Sequence, residues 1–73
     1  MKLSQVKIGQ NGIVKKLSLP HEALRRFEVL GMIVGTNISV INRGFSGAVI
    51  IKLRGTRFAV GKDFCDKIEV AYE

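Results

Sequence analysis

Arg26-Phe27-Glu28-Val29-Leu30-Gly31-Met32-Ile33-Val34-Gly35-Thr36 carries the chain from a helical spacing of apolar residues to a strand spacing within a few positions. Upstream of Gly31, the residues Ala23, Leu24, Phe27 and Leu30 recur at intervals that share one side of a helix running from Pro20 to Leu30. Glu22, Arg25, Arg26 and Glu28 fall mostly on its other sides. Pro20 is tolerated in a first turn, Glu22 complements the helix dipole, and Ser18 is the candidate cap. Gly31 follows the last helical residue, where a left-handed conformation ends the helix without a Cβ clash. Gly35 then opens a strand.

Five segments on either side of this corner alternate apolar with polar residues. Gly12 to Leu19 places Ile13, Leu17 and Leu19 on one face, interrupted by Lys15. Thr36 to Arg43 sets Ile38 with Val40, and Ala48 to Arg54 aligns Val49, Ile51 and Leu53 against Lys52 and Arg54. Thr56 to Val60 aligns Phe58 with Val60, and Lys67 to Tyr72 aligns Ile68, Val70 and Tyr72. Gly55 suits a tight hairpin between the third and fourth strands, and Gly61 to Asp66 has room for one helical turn. The fold class expected is mainly β with one helix: a small, SH3-like, five-stranded, partly open barrel with the helix inserted between strands 1 and 2. A single domain covers residues 1–73, with no repeat and no linker.

A chain of 73 residues must pack its core efficiently, and a hydrophobic fraction of 47% favours a folded domain over a disordered tail. With one cysteine, Cys65, an internal disulfide is excluded and a reducing compartment is the natural home. Apolar runs such as Ala48-Val49-Ile50-Ile51 fall far short of the ~18 to 20 residues that span a bilayer. Met1 to Gln5 lacks the apolar core of a secretion signal, so the expected location is the cytoplasm. Twelve basic against six acidic residues give a net charge of +6, a field that attracts acidic partners of any kind.

No catalytic constellation is present. His21 is the only histidine, and nothing in the sequence places it beside Cys65. Asp63, Asp66, Glu69 and Glu73 crowd one region, yet spacing alone does not converge them on a cation, and a solvated rim is the simpler reading. Neither phosphate-binding glycine motif occurs, so no catalytic residue, cofactor or metal ligand is expected. Binding remains. Lys52, Arg54 and Arg57 share the outward face of one predicted hairpin, with Arg43 near its far end and Phe45 as an exposed aromatic. A solvated cationic surface, a protein contact and a nucleic-acid contact all fit those residues.

Arg26 to Thr36 resembles the Arg-Leu-x-x-Leu-Gly-(Leu/Met)-x-x-Gly-Thr signature of the FeoA domain, the ferrous iron transport protein A family. Gly9-Gln10-Asn11-Gly12-Ile13, Gly55 to Val60 and Ile68-Glu69-Val70 resemble that family's first strand, hairpin and closing strand, and the likeness runs from about Leu3 to Val70. The resemblance implies a cytosolic SH3-like accessory protein of bacterial ferrous iron uptake, transition metal transport without catalysis. Its implied partner is the large membrane transporter FeoB, whose cytosolic part carries a GTPase domain, so that membrane contact comes through the partner. A related domain is appended to iron-dependent repressors, and a starting Met without upstream helices favours the first reading. This chain departs from the pattern at Val34, where the family often has Pro, at Val60-Gly61 in place of Leu-Arg, and at Cys65 in place of Ala. The basic residue at the hairpin end is therefore missing unless Lys62 substitutes.

A patch of Met32 and Ile33 with Arg26 at its rim is the expected partner site, with Gly31, Gly35 and Gly55 as structural turns. Core or loop packing is the competing reading of Met32 and Ile33. A small basic barrel that binds nucleic acid is the alternative function, direct carriage of ferrous iron is a third, and weak self-association stays open.

Overall fold

In the computed structural model, which describes residues 1–44 and 46–72, the alternating segments form one antiparallel sheet. Its strands are β1 (Asn11–Leu17), β2 (Asn37–Arg43), β3 (Val49–Leu53), β4 (Thr56–Val60) and β5 (Ile68–Tyr72), in the order β4-β3-β2-β1-β5. Helix α1 (His21–Leu30) joins β1 to β2, and the one-turn α2 (Lys62–Cys65) joins β4 to β5. The two outer strands do not pair, so the barrel is partly open. No described helix is long and apolar enough to cross a membrane.

The β-branched and aliphatic residues expected to point inward on β2, β3 and β4 do so: Ile38, Val40, Val49, Ile51, Leu53 and Val60 are buried. Strand β1 differs. Val14 is fully buried and Ile13 only partly, the reverse of the expected parity. A bulge between Val14 and Lys16 explains the change, because one extra residue turns both Lys15 and Lys16 outward and brings Leu17 back toward the core. At the far end of β5, Tyr72 is 44% exposed instead of buried.

Helix α1 ends where the sequence places its stop. Gly31 takes φ 99°, and its amide donates to the carbonyl of Glu28. Pro20 occupies the N-cap position without a side-chain cap bond, and Ser18 instead uses its amide to bond the Lys67 carbonyl. Only Ala23 and Phe27 are buried on α1; Leu30, expected inward, is 43% exposed and lines an open groove. Between β3 and β4, Arg54 and Gly55 form a two-residue turn with φ of 51° and 82°, the mirror-image geometry that matches strand twist.

Candidate interaction surface

Helix α1, β4 and α2 meet around three phenylalanines. The Phe27 ring stacks on Phe58 at 6.3 Å and 27°, and meets Phe64 edge-on at 5.7 Å and 89°, arrangements that aromatic quadrupoles favour. Above them lies an apolar groove of about 270 Å³, walled by Ala23, Leu30 and Ala59, with Arg26 at its rim. Among the described residues no carboxylate lies within ion-pair distance of Arg26.

The chain then leaves α1 through a tight turn. The Thr36 amide donates to the Ile33 carbonyl at 3.1 Å, and Gly35 takes φ 94° in the third position, where a side chain would be strained. Ile33 and Val34 stand 44% and 61% exposed on this turn. They separate two shallow depressions, one bordered by Lys15, Lys16 and Glu28 and the other by Asn37 and Arg54.

The three residues expected to form one partner patch are thus dispersed. Met32 is fully buried and belongs to the core, so it cannot present a surface; its amide, bonded to the Phe27 carbonyl at 2.9 Å, turns it inward beneath the helix end. Arg26 and Ile33 remain exposed but border different grooves. Reading the sequence missed Val29, 87% exposed, together with Val34 and the Phe58–Phe64 floor. The available signal was the density of apolar residues from Val29 to Val34, more than a helix end and a turn can bury together.

The remaining candidates have structural surroundings. His21 is exposed at the start of α1. Asp66 accepts a 2.7 Å bond from Ser4, Glu69 pairs with the Met1 amino group at 3.0 Å, and Asp63 is exposed; Glu73 lies outside the described residues. No cluster of three metal-ligating side chains occurs among the described residues. Lys52 and Arg57 face each other across β3 and β4, and the row continues through Ser39 to Asn11. Arg43, in contrast, donates to the Val6 carbonyl. Phe58 faces the groove and Phe45 lies outside the described residues, so no described aromatic stands on the cationic hairpin face.

Cys65 is fully buried and its thiol donates to the Val60 carbonyl at 3.3 Å. Burial pushes its pKa up, since the thiolate loses hydration; the Asp66 charge adds to this, and Arg43 and a Val49 backbone bond oppose it. The folded state therefore holds the proton more tightly than the unfolded chain. Its contribution to stability is complete below the unfolded thiol value of about 8.5 and is lost as pH rises toward the higher folded value. Urea midpoints that fall on the alkaline side in the native chain, and fall less in Cys65→Ala, are the expected result.

A family model described as FeoA domain matches residues 1–72. A protein of Methanocaldococcus jannaschii, provisionally assigned as Fe(2+) transport protein A, is 35% identical over 68 residues, covering 93% of this chain and 82% of that one. The crystal structure of an iron uptake regulatory protein, FeoA, is similar with a TM-score of 0.88 and 30% identity, over 100% of this chain and 97% of the other. Stenotrophomonas maltophilia FeoA complexed with zinc, described as an SH3 domain protein, has a TM-score of 0.79 at 22% identity, covering 97% and 89%. The fold is accordingly SH3-like.

Proposed function

The chain belongs to the FeoA domain family, a family of ferrous iron transport, and on that premise we propose that it is a non-enzymatic cytosolic accessory protein that binds the cytosolic part of a FeoB-type transporter through the groove over Phe27, Phe58 and Phe64. The observation that carries this reading is a concave apolar groove with a cation at its rim. Small interfaces draw most of their affinity from a few anchors seated in such concavities. An apolar side chain of the partner would fill the groove, and a neighbouring carboxylate would pair with Arg26. Leu30, adjoining Arg26, widens the contact toward the helix end.

Calorimetric titration with the purified cytosolic domain of the transporter, with and without guanine nucleotide, tests the reading. Wild-type protein is expected to bind; Arg26→Glu, which reverses the rim charge, and Ala59→Gln, which fills the groove from an exposed strand position, should each weaken binding roughly tenfold. Both changes lie at exposed positions, and circular dichroism should report native structure. Absence of binding, or equal affinity in the two variants and the wild type, overturns the proposal.

A further inference from the structure

The Ile33–Val34 turn is built unlike the groove. Ile33 opens a tight turn and Val34 holds one of its two central positions, where polar residues are the rule, and the two apolar side chains form an exposed ridge that borders both shallow depressions. The turn is also rigid. The Gly35 amide donates to the Val14 carbonyl at 2.8 Å, the Val14 amide returns a bond to Thr36 at 2.9 Å, and the Thr36 hydroxyl donates to the Gly31 carbonyl at 3.2 Å. Val29, in the last turn of α1, is a further exposed apolar side chain.

Cations flank this turn on both sides. The bulge in β1 turns Lys15 and Lys16 into one depression beside it, Arg54 borders the other, and Arg25 precedes Val29 by one turn of α1. Among the described residues, Glu28 is the single acid bordering either depression. Exposed apolar side chains thus stand between basic shoulders, and the depressions on either side are shallow and open. This arrangement matches an anionic lipid surface, into whose headgroup layer small apolar side chains dip while Lys and Arg stay at the level of the phosphates.

We infer that the Ile33–Val34 turn, with Lys15, Lys16 and Arg54, docks the protein onto an anionic bilayer surface. So small a patch binds weakly by itself. Joined to a membrane-embedded partner held in the groove, it raises the effective concentration of each contact for the other. The lipid contact does not depend on the groove reading, and the two fail separately.

Sedimentation with vesicles at low ionic strength, using phosphatidylcholine alone and phosphatidylcholine mixed with phosphatidylglycerol, tests the inference on the whole chain. Partitioning should favour the anionic vesicles by roughly tenfold or more and fall with salt. The double variant Ile33→Ser/Val34→Ser, altered only at exposed side chains, should reduce it roughly tenfold. Ala59→Gln should leave it unchanged while weakening the transporter titration. Four results overturn the inference: no sedimentation with anionic vesicles; serine variants that sediment like the wild type, which would reduce the effect to diffuse charge; equal loss in Ala59→Gln; or serine variants that lose only the transporter domain, which would make the turn a protein contact.

Discussion

Met32→Asp is expected to leave the chain unfolded at neutral pH. The Met32 side chain is completely enclosed, and a carboxylate there would lose its hydration without a partner, at a cost of several kcal/mol. A domain of this size holds about 5 kcal/mol of stability, so the penalty consumes all of it. Ile33→Asp, one residue on but on the exposed turn, should fold with a urea midpoint close to the wild type. Far-UV circular dichroism and urea titration of the pair separate core from surface within two adjacent positions. A cooperative, near-native transition in Met32→Asp would contradict the packing described.

Phe27→Ala carries the second large effect. Truncating a buried phenylalanine commonly costs about 3–5 kcal/mol, and here the ring is the main tie between α1 and the sheet, since Ala23 is the only other buried side chain of that helix. Loss of the Phe58 and Phe64 contacts should release α1, giving a lower urea midpoint, reduced helical signal and no transporter binding because the groove loses its floor. Phe27→Leu should recover much of the stability. Comparison of their unfolding curves checks this.

The strand and helix spacings made the architecture legible. Alternation on β3 follows the pleat throughout, that on β5 holds as far as Val70, and the Gly31 stop is a local property of backbone sterics. Strand β1 departs from the expected parity because a bulge changes the face of successive residues without leaving a composition signal, and Lys15 is its only trace in the sequence. The site was less legible for a different reason. Whether Met32 or Ile33 reaches solvent depends on the direction of a four-residue turn, fixed by long-range bonds from Val14 that sequence spacing does not encode. The groove needed Phe27, Phe58 and Phe64 from three separate elements, and only the fold brings them together.

Strand β1 lies between β2 and β5, so Gly12 meets both Ile38 and Tyr72. In time, those two neighbours arrive far apart. On the ribosome β1 is made early, and β2, β3 and β4 can assemble beside it as a meander of sequential hairpins, yet one edge of β1 stays uncovered until residues 68–72 emerge. Pairings of such long sequence separation are the slow ones in folding, and a bare edge is a template for the wrong partner. The arrival of β5 therefore determines when that edge of the nascent chain stops being vulnerable.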